Sequence, residues 1–366
     1  ISTRLNTFVT IKIGSSLLVR NLNHVKLLSP IKEIHLNNME DIVPPFILSH
    51  KSDILSIMGL VNALLKKSLL HRYDKDGIIP YLSEKDFLGL KKEEYQFKNS
   101  KGIKIAYYYY YRENYLSDKI ILFCHGIGPG HTAYMGEINA FSEARYRVLT
   151  LDYMGCDKSE GESMFSINEP TQDVFELLNY LNIKEDIIIA GHSLGGYTAL
   201  KVLVGTPYIT TGVIISAFIS IKDEVKDLTK SSLVAKLTDN FEKKKIPDIY
   251  RLDILHYLKT TDDKLLFIHS KDDNIVPYAS SMAIIEQIDN KNIHTLSVDH
   301  KKHNPNYTYE SVNYMNDCFV KYNKLVKDKT LNSCEDKKAF MEQYSAKKMT
   351  EQDPDILNKI FAFIKD

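Results

Sequence analysis

The stretch Gly191-His192-Ser193-Leu194-Gly195-Gly196 decides how the rest of the chain is read. It fits the pattern G-x-S-x-G, which needs a strand before it and a helix after it. Both are indicated. Asp186-Ile187-Ile188-Ile189-Ala190 has the length and β-branched content of a fully buried strand, and residues 197–204 read as the start of a helix. A serine on a sharp turn between them presents its hydroxyl at the end of the sheet, in front of the free N–H groups of a helix N-terminus. The turn leaves no room for a Cβ at 191 or 195, which accounts for both glycines. A pentapeptide of this kind arises by chance roughly once in ten to twenty chains of this length, so the surrounding sequence must support it.

Working outward, short apolar runs alternate with helical segments. Strands are expected at 119–124, 146–152, 186–190, 213–219, 264–270 and 293–298. Helices are expected at 132–144, 169–181 (Pro170 suits the first turn), 279–288 and 309–326. This alternation implies a mostly parallel sheet covered by helices on both faces, with ligands bound beyond the carboxyl ends of the strands. Residues 95–98 and 103–112 flank the turn signal Ser100-Lys101-Gly102 and read as a hairpin. Its five consecutive tyrosines, Tyr107 to Tyr111, are expected on an amphipathic edge with their hydroxyls in water.

The segment 222–263 breaks the alternation and is too long for a loop. Leu233, Val234, Leu237 and Phe241 share one helical face there, so a small helical cap is expected over the sheet end. Three regions follow: a mainly helical N-terminal extension at 1–90, an α/β domain at 91–330 carrying the cap, and a C-terminal helical tail at 331–366, packed on that domain, with a helix at 355–364. In the first region Ser52 and Asp53 cap an expected helix to about residue 71, with Ile54, Ile57, Met58, Val61, Leu64 and Leu65 on one face.

Composition bounds the function. The 366 residues are 44% hydrophobic, ample for one large core, and the formal net charge is zero, which argues against a nucleic-acid or other polyanionic partner. Cys124, Cys156, Cys318 and Cys334 show no metal-ligand spacing. They are expected as free thiols in a reducing, cytoplasmic setting. No apolar run reaches the length of a membrane span. The mildly apolar residues 8–19, interrupted by Lys12, lack a small-residue cleavage site and are not read as a signal peptide.

Further blocks complete the pattern: His125-Gly126-Ile127-Gly128, then Asp152-Tyr153-Met154-Gly155-Cys156-Asp157-Lys158-Ser159, then the turn at Ser193, then Asp272-Asp273-Asn274-Ile275-Val276-Pro277, and last a histidine in Asp299-His300-Lys301-Lys302-His303-Asn304. Each lies at or just past the end of an expected strand. In that order they resemble the α/β-hydrolase superfamily over about residues 86–325, nearest the bacterial hydrolases similar to monoacylglycerol lipases and serine aminopeptidases. A serine hydroxyl needs a base to take its proton, an imidazole suits that role near neutrality, and a carboxylate fixes its tautomer. The order serine, aspartate, histidine fits this fold.

The resemblance implies Ser193 as nucleophile. It places the acid four residues before Pro277, at Asp273 rather than Asp272. It favours His303 over His300 as base, because His303 lies deeper in the loop and precedes Asn304, although the glycine that usually comes before this histidine is replaced by Lys302. The backbone amides of Ile127 and Leu194 are expected to form the oxyanion hole, with Gly126 and Gly128 letting the first loop turn. His125 and His192 are read as structural, and Asp152–Ser159 as a loop without chemistry. The expected activity is hydrolysis of a small-molecule acyl ester through an acyl-enzyme, without metal or organic cofactor. A peptidase, amidase or thioesterase on the same residues, and a non-catalytic binding protein on the same fold, remain alternatives.

Overall fold

The computed structural model describes residues 70–366 apart from Ser117, Lys184 and Asp366. Before residue 70 it describes only the backbone of three strands, β1 (Phe8–Ile13), β2 (Ser16–Asn21) and β3 (Ile34–His35), in the order β2-β1-β3. The helix expected at 52–71 lies outside the described residues but for its last two, of which His71 bridges to Ser163. These three strands lie within the region expected to be mainly helical, which also carries a 3-10 turn at Glu84–Asp86. Phe8-Val9-Thr10-Ile11 carries the β-branched and aromatic residues that favour a strand.

The main sheet has eight strands in the order β11-β10-β9-β8-β6-β7-β5-β4. They are β4 (Lys91–Lys98), β5 (Lys104–Tyr111), β6 (Lys119–Cys124), β7 (Arg147–Leu151), β8 (Asp186–His192), β9 (Thr211–Ile215), β10 (Lys264–Ser270) and β11 (Ile293–Val298). From β7 to β11 every pairing is parallel, while β5 runs antiparallel to both β4 and β7. The chain therefore has the α/β architecture expected of it. Strand β4 begins four residues earlier than its apolar content suggests, because Lys91-Lys92-Glu93-Glu94 form a charged outer edge, a common guard against further strand pairing. Strand β9 stops at Ile215, earlier than expected, because Ser216 turns left-handed (φ 47°).

Both sheet faces are covered, as alternation along each strand requires. On one face Ile121, Phe123, Ile188 and Ala190 join Met135, Ile138 and Phe141 of helix α1 (Met135–Glu143) in a single apolar cluster. Helix α2 (Glu169–Leu181) starts on Pro170 and ends at left-handed Asn182, whose N–H caps Leu178 O. Helix α3 (Leu194–Gly205) lies on the opposite face, with Leu203 over Gly212 and Ile189 beside it. The expected cap segment is helical throughout: α4 (Ile221–Thr229), α5 (Ser232–Lys245), α6 (Pro247–Tyr250) and α7 (Ile254–Thr260). Short helix α8 (Met282–Ile285) follows a 3-10 turn at Tyr278–Ser280, which divides the single helix expected there.

After β11 come α9 (Tyr309–Lys327), α10 (Cys334–Met341), α11 (Ala346–Met349) and α12 (Pro354–Lys365). The last of these sends Ile356, Ile360, Phe363 and Ile364 into the α1 face of the core. Each such side chain contributes about 1.5–3 kcal/mol by burial, so this helix is part of the domain's stability. Among the described residues no helix is long and apolar enough to cross a membrane.

The tyrosine strand departs most from expectation. β5 is the second strand in from the edge, not the edge itself. Tyr108 and Tyr110 are buried, and their hydroxyls bond Asp152 Oδ2 (2.7 Å) and His131 Nε2 (2.8 Å) rather than water. Burial with a polar partner at the ring's end suits tyrosine, and sequence alternation does not reveal such a partner.

Candidate active site

Ser193 stands between β8 and α3 with φ 57° and ψ −121°, a conformation that costs a non-glycine residue about 1–3 kcal/mol. The turn is as tight as its glycines imply. A Cβ on Gly191 would meet Gly195 O at 2.2 Å, and one on Gly195 would meet Cys124 O at 2.0 Å. Ser193 N–H bonds Ile215 O (2.9 Å), which ties the turn to the neighbouring strand. Leu194 opens α3, so its N–H is a first-turn donor without an intrahelical carbonyl.

Asp273 follows β10 and its carboxylate is fully engaged. Oδ1 accepts the N–H groups of Ile275 (2.9 Å) and Val276 (3.0 Å). Oδ2 accepts His303 Nδ1 at 2.8 Å and lies 3.3 Å from His269 Nε2. Burial alone would raise this carboxyl, but the His269 and His303 bonds hold it well below the usual carboxylate range. Its neighbour Asp272 faces elsewhere, accepting Ser270 Oγ (2.6 Å) and Lys302 N (3.2 Å) and pairing with Lys302 Nζ (3.1 Å). His300 is exposed, so of the two histidines it is His303 that the fold brings to Asp273. Lys302, standing where a glycine is usual, adopts the left-handed φ of 51° that a glycine would favour, and Asp272 anchors it there.

A second set of bonds joins three loops. His192 Nε2–H donates to the His303 carbonyl (2.7 Å), and the two rings stand 4.7 Å apart, centroid to centroid. With that proton on Nε2, Nδ1 is an acceptor, reached by Tyr134 Oη at 3.1 Å. Tyr134 Oη in turn accepts Gly126 N–H (3.0 Å). Burial and the nearby His303 push the His192 imidazole down to about 3, so it stays neutral near neutrality. The residue beside Ser193, the loop before Ile127 and the loop of His303 are thereby held together by one chain of bonds. Sequence spacing gave no sign of Tyr134 or His269.

The loop of Ile127 is set by Asp152. This buried carboxylate accepts His131 N (3.0 Å), His131 Nδ1 (2.7 Å) and Tyr108 Oη. Burial works against its ionisation, and the adjacent His131 outweighs that, leaving it below its ordinary range. Gly130 (φ 125°) is the position that needs glycine, since a Cβ there would lie 2.1 Å from Asp152 Oδ1. Gly128 is also left-handed (φ 149°), whereas Gly126 is not. The missing side chain at Gly126 makes room for Tyr134 Oη, 2.4 Å from where a Cβ would sit. His125 is buried and bonds its own loop through Gly126 O (2.7 Å). Among the described residues no group of three or more His, Cys, Asp or Glu side chains is gathered in a way that could hold a metal.

Residues 117–261 match the family model described as serine aminopeptidase, S33. No curated protein matches the chain. Among solved structures it is similar to the esterase Pf2001 of Pyrococcus furiosus, with a TM-score of 0.50 at 17% identity over 71% of this chain and 96% of that one. It is also similar to an acylaminoacyl peptidase of Pyrococcus horikoshii (TM-score 0.46, 20% identity, 59% of this chain and 38% of that one). A third is the esterase domain of a Rhodothermus marinus protein (TM-score 0.45, 18% identity, 63% and 97%). By its sheet order and its strand–serine–helix turn, the chain has the α/β-hydrolase fold, and its segment 117–261 matches the serine aminopeptidase family model.

Proposed function

We propose that this chain is a serine hydrolase that cleaves a carboxylic ester through an acyl-enzyme. The observation that carries the reading is the His303 imidazole, held by Asp273 at 2.8 Å and packed against the residue next to a serine on a left-handed turn. Nδ1 donates to Asp273, so Nε2 is the nitrogen that takes a proton.

In this reading Ser193 Oγ attacks the acyl carbonyl as His303 removes its proton. The amides of Leu194 and Ile127 hold the oxyanion, each donor worth about 3 kcal/mol in the transition state. His303 then protonates the leaving alcohol, and a water that it deprotonates releases the acid. Asp273 stays ionised throughout, because its carboxyl lies far below neutrality. The match to a family described as serine aminopeptidase supports a second reading, hydrolysis of an amide by the same residues.

The test is turnover of p-nitrophenyl esters of graded chain length and of aminoacyl-p-nitroanilides by the wild type and Ser193→Ala. Ester turnover by the wild type that is lost in Ser193→Ala is expected. Turnover of the anilides alone replaces ester by amide, and full activity in Ser193→Ala removes the nucleophile.

A further inference from the structure

His303 stands on a loop without regular secondary structure, between β11 and α9, and two of its residues, His300 and Lys302, are left-handed. Such a loop is a poor platform for a base, since a displacement of about 1 Å can cost a hundredfold in rate. What holds it is remote in sequence. Lys301 is 1% exposed, and a buried ammonium persists only when fully paired. Its Nζ donates to the Tyr307 carbonyl and to Asp353 Oδ2 (2.5 Å). One cation thus closes the loop across His303, from residue 301 to residue 307, and fastens it to the segment just before α12.

Four further bonds run alongside. Asp353 N–H donates to Asn306 O (2.8 Å), and Thr308 N–H to Glu351 O (3.0 Å), around an antiparallel bridge between Tyr307 and Gln352. Asn306 Nδ2 donates to Gln352 Oε1 (2.8 Å) and to Glu137 Oε1 of α1 (2.9 Å). The segment is itself fixed, because α12 is sunk in the main core. The base loop is therefore pinned on both sides of its histidine to a rigid element some fifty residues downstream.

We infer that residues 351–353 form a brace for the base loop, with Lys301 and Asp353 as positioning residues for His303; the catalytic part of this inference rests on the function proposed above. The brace places the imidazole against Asp273 and towards Ser193 without touching substrate.

The experiment compares the wild type with Lys301→Met, Asp353→Asn and the control Lys264→Met. The control removes a different lysine anchor of the same helix, Lys264 Nζ to Phe363 O (3.0 Å), near its far end. Two quantities are read: kcat and KM on a p-nitrophenyl ester, and the proton NMR resonance of His303 Nδ1–H. In Lys301→Met and Asp353→Asn, kcat is expected to fall about ten- to a hundredfold with KM within about twofold, and the resonance to broaden or vanish. In Lys264→Met both should match the wild type. If Lys301→Met fails to fold, Gln352→Ala, at a half-buried site, should lower kcat about three- to tenfold with the same broadening. Wild-type kcat and an unchanged resonance in folded Asp353→Asn would overturn the brace, as would equal losses in the Lys264 control. Should the wild type hydrolyse no acyl substrate, the proposed function fails, and the resonance comparison alone still decides whether the brace positions the ring.

Discussion

Among the described residues, two carboxylate–imidazole pairs bonded through Nδ1 stand near the ends of the strands. Asp273 holds His303 through Nδ1 at 2.8 Å, and Asp152 holds His131 through Nδ1 at 2.7 Å. By that geometry they are nearly the same object. The difference lies at the other nitrogen. Tyr110 Oη occupies His131 Nε2, and that side chain is only 3% exposed, whereas the His303 side chain is 16% exposed and packs beside the residue before Ser193. An aspartate behind a histidine does not by itself make a base. A histidine acts as one when its second nitrogen is free and faces a reacting group; with both nitrogens spent, the same pair is a fastening. Here it fastens the far end of the loop that carries Ile127.

Breaking the pairs separately should expose this difference. The largest effect is expected from His303→Ala and Asp273→Asn. Each should lower kcat by roughly a thousandfold or more, with little change in melting temperature for His303→Ala, measured by ester turnover and thermal unfolding. His131→Gln should act on the other axis. Leaving buried Asp152 without its cationic or N–H partner should destabilise the fold by about 3 kcal/mol, read by denaturant unfolding, while kcat of the folded protein stays within about tenfold. A thousandfold loss there with unchanged stability would erase the distinction.

Smaller effects sharpen the comparison on the His303 side. Tyr134→Phe removes the hydroxyl that links Gly126 N–H to His192. Loss of a hydrogen bond worth about 1 kcal/mol should lower kcat roughly fivefold. The smallest effect is a pH dependence. Glu137, which receives Asn306 of the His303 loop, is pushed up to about 7 by burial, against the hydrogen bond from Asn306. Its folded value exceeds the unfolded one, so between about pH 4.5 and 7 the folded chain binds more protons and Glu137 makes stability fall as pH rises. Glu137→Gln is neutral at every pH. Its melting temperature relative to wild type should therefore climb across that window and level off above it.

Much of this is legible in the sequence. The buried runs of β6, β8 and β10 are mostly apolar and stand out from the polar residues that flank them, and the glycines around Ser193 have a steric cause that sequence alone states. What was not legible depends on partners distant in the chain. Tyr108 and Tyr110 look like edge residues until Asp152 and His131 are placed beside them. Lys301 looks like a surface lysine until Asp353 is brought to it, and Lys302 conceals a left-handed turn that a glycine would have announced. Spacing reports local geometry, but it does not report which buried polar groups will find one another.

The central claim is that Ser193 is a nucleophile activated by His303. The most direct measurement is the rate at which a fluorophosphonate labels the folded protein, with the modified residue located by mass spectrometry, in wild type, His303→Ala and His131→Gln. The account predicts labelling at Ser193 in the wild type, retained in folded His131→Gln and slowed by at least about a hundredfold in His303→Ala. Equal labelling in all three, or none at Ser193 in the wild type, would contradict it.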